Sequence, residues 1–246
     1  MKAEEYRVMY QVEDFHWWYM GMGVITRQVI EINYPRGSKL RILDAGCGTG
    51  AAMGYLADYG TVTGIDYSIE ALRWSKARQR EQLGQASVTS LPFPSATFDL
   101  VTSFDVISDF GVNEDALALR ETLRVLVPGG RALLRLPGTP WLHGQHDVSV
   151  DIRQRYTARQ VEDKLRMGGF EPELVTYSNA LLFPLAVVKR FSERFFPPQD
   201  GSDLTIGMGP FNGLLRRVLS AEAPRVARGG FPLGLTVVAL ARKPAQ

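Results

Sequence analysis

Cysteine and histidine are scarce in this chain, with one cysteine, Cys47, and three histidines among 246 residues. A single cysteine excludes an internal disulfide and is compatible with a reducing compartment. No set of histidine, cysteine and carboxylate has the spacing of a metal site, so no metal is expected. Charge of one sign is also lacking: 28 Lys and Arg stand against 26 Asp and Glu, a net charge of +2. No global field then argues for nucleic acid, and partners must be argued from local sites. Long apolar runs are missing as well, since nothing approaches the ~18 uninterrupted apolar residues of a spanning helix. The opening "MKAEEYRVMYQVEDFHWWYMG" is charged and aromatic, without the apolar centre and small-residue cleavage site of a secretory signal. These absences lead to the expectation of a soluble, cytoplasmic protein whose 246 residues form one domain over 1–246.

What is present is an alternation. Short β-branched runs, "LRILDAG", "TVTGID", "FDLVTSF" and "GRALLRLP", are separated by stretches of helical period. Parallel neighbours need long right-handed crossovers, so this pattern predicts a doubly wound α/β fold with helices on both faces of the sheet. A helix is expected over 68–83, opened by a Ser68 cap. Another is expected over 114–127, stopped by Pro128 and two glycines, and a third follows the Thr157 cap and ends at Gly168 and Gly169. The ends break the rhythm. Residues 1–35 carry "FHWWY" and no strand pattern, which predicts a helical cap. Residues 178–232 form a long insertion before the closing strand "LGLTVVALARKP". Its apolar stripe and local basic excess suit a helical lid over an acceptor pocket, a homodimer surface or a peripheral membrane contact.

The decisive stretch is "RILDAGCGTG" at 41–50. In an open parallel sheet, ligands bind beyond the carboxyl ends of the strands, where the first strand-to-helix turn lies. Gly46, Gly48 and Gly50 leave main chain bare for a ligand to touch. A dinucleotide fingerprint reads G-x-G-x-x-G and faces a pyrophosphate. Here the spacing is G-x-G-x-G, and Asp44 stands two residues ahead of the first glycine. That carboxylate repels a pyrophosphate and welcomes an ammonium or sulfonium. Asp66, at the end of the next strand, can accept both hydroxyls of a ribose. Ser87, Leu91 and Phe93 suit an adenine. An adenosine with a cationic amino-acid tail satisfies all three elements, and S-adenosylmethionine is such a molecule. Cys47 reads as a small residue of the turn, with no base nearby in sequence to make it a nucleophile.

The pieces "LDAGCGTG", "GIDYS", "LPFPSATFDLV" and "LRVLVPGG", in this order and spacing, resemble the class I S-adenosylmethionine-dependent methyltransferases. The resemblance covers roughly residues 40–177 and the last strand. It implies a mostly parallel seven-stranded, Rossmann-like sheet with an antiparallel last strand. It also implies roles: Asp44, Ala45 and the backbone of Gly46, Gly48 and Gly50 for the methionine part, Asp66 for the ribose, Tyr67 against the adenine, Ser87 and Val88 near its amino group, and Phe104 on the floor. Relatives usually carry an acid where this chain has Ser87.

"HWWY", the "HD" at 146–147, "QRYT" and the closing strand resemble a bacterial subgroup acting on small molecules. Its members more often show two arginines and an upstream histidine where this chain has Gln154 and Ile152. His16, Trp18, Tyr19 and Tyr156 are the candidate substrate residues. His146, beyond the fifth strand, and Asp105, at the end of the fourth, are the candidate proton acceptors. The expected activity is methyl transfer to an oxygen, nitrogen or carbon nucleophile of a small-molecule acceptor, with no nucleic acid involved. A non-catalytic protein that binds S-adenosylmethionine or S-adenosylhomocysteine shares every one of these motifs. A nicotinamide-dependent oxidoreductase is disfavoured by the glycine spacing and by Asp44.

Overall fold

The computed structural model describes residues 3–109, 114–142, 152–188 and 209–245. Two helices come first, α1 (Ala3–Val12) and α2 (Trp17–Ile30). β1 (Leu40–Ala45), α3 (Ala51–Leu56), β2 (Gly60–Asp66), α4 (Ile69–Ala77), β3 (Leu83–Gln85) and β4 (Phe98–Phe104) follow. The chain continues through α5 (Asp115–Val125), β5 (Leu126–Pro137), a 3-10 turn at Pro140–Leu142, α6 (Ala158–Met167) and β6 (Glu171–Ser178). It closes with α7 (Asn212–Ser220), α8 (Ala223–Val226) and β7 (Thr236–Arg242). The seven strands form one sheet in the order β3-β2-β1-β4-β5-β7-β6. β7 runs antiparallel to both of its neighbours, and the remaining pairs are parallel.

The period of two along each strand divides the sheet into two buried faces. Leu43, Val101 and Leu134 point to the face covered by α5 and α6, where Ala118, Leu119, Val161 and Leu165 meet them. Ile42, Leu100 and Leu133 point the other way, under Met22, Ile25 and Val29 of α2 and Leu56 of α3. Two residues further along each strand, the same alternation brings Asp44, Thr102 and Arg135 to this second face. Asp44 is paired with Thr102, and Arg135, paired with Phe104, lies two strands from Asp44 and one step further along the same face. The polar end of an otherwise apolar face is therefore a product of register.

Three local expectations change. α4 begins after its Ser68 cap but ends at Ala77, short of the predicted 83. Gln79 turns left-handed at φ 59°, and the Arg80 side chain folds back to the Gly50 carbonyl at 3.0 Å. α5 ends at Val125 without help from Pro128 and its glycines. Those residues lie inside β5, where pairing with β4 slips between Phe98 and Leu100, because Val125 and Leu126 are fully buried and the core sets the strand's start. The insertion's second helix is divided into α7 and α8. Asn212 ties α7 to the N-terminal cap, accepting from Trp17 N at 2.8 Å and donating to the Phe15 carbonyl at 2.9 Å. Leu219 of α7 packs on Gly21 of α2 so closely that a Cβ there would lie 2.7 Å from its side chain. The described part of the insertion thus buttresses α2, while residues 189–208 lie outside the described residues.

Candidate functional site

The glycine turn is built around close contacts. Gly46 has φ 88°, and a Cβ on it would stand 2.2 Å from Val106, so only glycine fits. Just before it, Asp44 is 1% exposed. Its Oδ1 accepts from the Thr102 hydroxyl at 2.7 Å, and its Oδ2 is buried with no hydrogen-bond partner. Burial pushes the Asp44 carboxyl up to about 6, against the opposing pull of Thr102 and Arg135. A buried carboxylate oxygen without a donor is costly for a fold. A cationic ligand lying along the bare turn would supply what it lacks. The residues present therefore fit the ammonium-bearing tail of S-adenosylmethionine.

At the end of β2, half-buried Asp66 accepts from Gly48 N and Ser68 N, each at 2.9 Å. Burial raises its pKa, and the two backbone donors oppose the rise. Each oxygen accepts one of these bonds, leaving acceptor capacity for a vicinal diol. Tyr67 beside it is 79% exposed, an open ring at the rim. Ser87 is half-buried and shares a 2.8 Å hydrogen bond with Thr89, whereas Val88 belongs to the core. Cys47 is buried and its thiol is held well above the ordinary range by that burial, which leaves no thiolate for nucleophilic attack.

One strand pair further along, Phe104 ends β4, Asp105 follows it, and Arg135 lies two residues before the end of β5. Arg135 Nε donates to Asp105 Oδ2 at 2.7 Å. The guanidinium carbon sits 4.9 Å from the Trp18 ring centre and 4.8 Å from that of Phe104. Asp105 itself is left-handed at φ 61°, a conformation that aspartate tolerates better than most residues. α2 delivers Trp18 and Tyr19 to this corner. His16 caps that helix, its Nδ1 accepting from Trp18 N at 3.3 Å. Tyr19 has its hydroxyl held above the usual phenol range, chiefly by burial.

α1 lies across the turn. A Cβ on Gly48 would stand 3.1 Å from the Met9 methyl, and Tyr6 is buried beside Ser68 and Asp66. Arg78 of the α4 terminus anchors the helix, pairing with Glu13 at 2.9 Å and Asp14 at 2.7 Å and lying 4.6 Å over the Tyr10 ring. Buried Glu13 also accepts from the Thr49 hydroxyl of the turn.

The structure thus brings together Asp44, Ala45, the three glycines, Asp66, Phe104, Asp105, Trp18 and Tyr19. It does not bring Tyr156. That ring is buried on the opposite face, where its hydroxyl donates to Asp115 Oδ2 at 2.6 Å. His146 lies outside the described residues. Sequence reasoning missed Arg135, Thr102 and the α1 contacts through Met9, Tyr6 and Glu13. A signal for Arg135 existed: a lone charge in "ALLRLP" is anomalous in a central strand covered on both faces.

The family model described as a methyltransferase domain matches residues 43–134. A Mycolicibacterium smegmatis protein, named as a probable S-adenosylmethionine-dependent methyltransferase, is 30% identical over 136 residues, covering 54% of this chain and 52% of that one. Residues 43–134 thus carry a methyltransferase domain. The chain is also 32% identical over 153 residues to a malonyl-[acyl-carrier protein] O-methyltransferase of Pseudescherichia vulneris, covering 57% of this chain and 60% of that protein. The chain thus spans between half and two thirds of the length of these curated relatives. Among solved structures, a chain of the complex between the Haloferax volcanii Trm112 methyltransferase activator and a methyltransferase superposes with a TM-score of 0.63 at 18% identity. That match covers 98% of this chain and 96% of the other, a likeness of fold. No helix among the described residues is long and apolar enough to cross a membrane.

Proposed function

We propose that the methyltransferase domain transfers a methyl group from S-adenosylmethionine to an oxygen, nitrogen or carbon nucleophile of a small-molecule acceptor. The observation that carries this reading is Asp44 Oδ2, a buried carboxylate oxygen without a partner beside a turn of bare backbone. When bound, S-adenosylmethionine supplies a methyl on a positively charged sulfur, and the loss of that charge makes the sulfide a good leaving group. The protein then has to align, exclude water and hold a proton. Asp44 and the backbone from Ala45 to Gly50 bind the amino-acid tail, Asp66 takes the ribose hydroxyls, and Tyr67, Ser87 and Val88 border the adenine. α1 excludes water from the turn, through Met9 over Gly48 and Tyr6 beside Asp66. Phe104, Trp18 and Tyr19 line the side where the acceptor enters, and His16 keeps the start of α2 in place. His146 and Asp105 are the groups proposed to receive a proton from a protonated nucleophile.

The test is incubation with S-adenosylmethionine labelled in its methyl group and a set of candidate metabolites. Formation of S-adenosylhomocysteine with the label in an acceptor supports transfer. Tight cofactor binding without turnover across the set favours the non-catalytic reading. Micromolar binding of NADH, with no binding of S-adenosylhomocysteine, ends the proposal.

A further inference from the structure

Arg135 is the one charge in a strand segment whose other residues, Leu133, Leu134 and Leu136, are at most 4% exposed. Its own side chain is 12% exposed. Among the described residues only its Nε is hydrogen-bonded, to Asp105. The rings of Trp18 and Phe104 lie within 5 Å of the guanidinium carbon, and rings at that distance bind through a π cloud, leaving the N–H edges unused. Among the described residues the two terminal nitrogens find no hydrogen-bond partner, and they are not among the polar atoms sealed from solvent without a partner. They therefore keep solvent-accessible surface, on the face of the sheet that also carries Asp44. Burying a guanidinium and leaving four of its five donors unused serves no purpose in packing, since an apolar side chain would fill the same space at lower cost.

The flat fork matches a group with two coplanar acceptor oxygens. Two strands away on the same face, Asp44 presents an oxygen that lacks a donor. The corner thus offers a negative group on β1 and a positive one on β5. We infer that Arg135 is a carboxylate-binding residue of the cleft, its terminal nitrogens receiving a ligand carboxylate while Asp105 holds Nε and fixes the plane of the fork. The carboxylate comes either from the amino-acid tail of the cofactor or from the acceptor. The inference rests on the methyltransferase reading only for what occupies the rest of the cleft.

Calorimetric titration separates the two sources. One arm compares S-adenosylhomocysteine with its methyl ester. The other uses protein saturated with S-adenosylhomocysteine and compares benzoate and octanoate with their amides. In the wild type, the charged member of one pair should bind at least about tenfold more tightly, the size expected of a charge-assisted bidentate bond. Arg135→Gln should erase that preference while leaving the uncharged member within about threefold. Arg135→Lys, which keeps the charge and the packing but loses the fork, should retain part of it and covers the case in which the glutamine variant fails to fold. A preference in the first arm assigns the cofactor tail, and one in the second assigns the acceptor. Absence of preference in both arms, or a preference that survives in Arg135→Gln, overturns the inference. If S-adenosylhomocysteine does not bind at all, the methyltransferase reading fails, and the carboxylate and amide pairs measured without it still report on Arg135.

Discussion

Two buried aspartates on opposite faces of the sheet teach where this protein keeps its function. Asp115, at the start of α5, has both oxygens engaged: Tyr156 at 2.6 Å, Lys164 and Gln154 each at 3.1 Å, and Arg153 besides. Burial pushes its carboxyl up, but these partners outweigh burial and hold it below the usual range. Asp44 is buried more deeply and has one neutral donor, so burial wins and the carboxyl rises to about 6. The first arrangement closes a structure. The second leaves a charge to be completed by something else, and Arg135, two strands away on the same face, is incomplete in the opposite sense.

The largest effect that sharpens this contrast is expected at Asp44. Asp44→Asn should weaken S-adenosylmethionine binding by about 30- to 100-fold, the loss of a buried charge-assisted bond. The same substitution should stabilise the fold at pH 7.5 by about 1–3 kcal/mol, because the folded carboxyl titrates near 6 rather than near its ordinary value. That gain is present above pH ~6, where the buried carboxylate is ionised, and vanishes as pH falls below the unfolded value of ~3.9. Denaturation of both proteins across this range checks the sign, and an Asp44→Asn protein less stable than wild type at pH 7.5 would break the comparison.

Asp115→Asn should do the reverse. It should destabilise the fold by about 1–2 kcal/mol at pH 7, a figure discounted for the solvent around Lys164 and Arg153, and leave cofactor affinity within about twofold. Since the folded carboxyl is held low, its contribution is complete above pH ~4 and is lost as pH falls through the folded value. A smaller effect is expected at Arg78, whose side chain is 11% exposed and ties α1 over the turn. Arg78→Ala should speed cofactor dissociation by about tenfold in stopped flow, roughly 1.4 kcal/mol, with association little changed. The smallest is at Asp99, which pairs with exposed Arg41 at 2.9 Å. Asp99→Asn should cost under about 1 kcal/mol in denaturant titration and leave binding unchanged.

How legible each region was in the sequence follows from the range of its contacts. The glycine turn, Asp44 and Asp66 lie in two adjacent strands and the turn between them, and strand period plus residue spacing is enough to set them in one place. The capping box of Thr157 and Gln160 is a contact between residues three apart, equally readable. Arg135 meets Asp105 and Trp18 only after β4 pairs with β5 and α2 docks on the sheet, and no local pattern carries that information. Tyr156 was misread for the same reason: its partner Asp115 belongs to a distant helix, and the turn to the opposite face follows from β5 and its register. α1 shows no strand and little pattern, so its place over Gly48 emerges from single contacts of Met9, Glu13 and Arg78.

The central claim is that the unpartnered oxygen of Asp44 receives the cation of the cofactor. The most direct measurement is the affinity of S-adenosylhomocysteine as a function of pH in the wild type and in Asp44→Asn. A ligand that needs the ionised carboxylate should bind steadily above pH ~6.5 and lose affinity by about tenfold per pH unit below the carboxyl's value of about 6. In Asp44→Asn, binding should be weak and nearly flat over the same range. A wild-type affinity that does not change between pH 7.5 and pH ~5, or a variant that keeps both the affinity and the slope, would contradict the account.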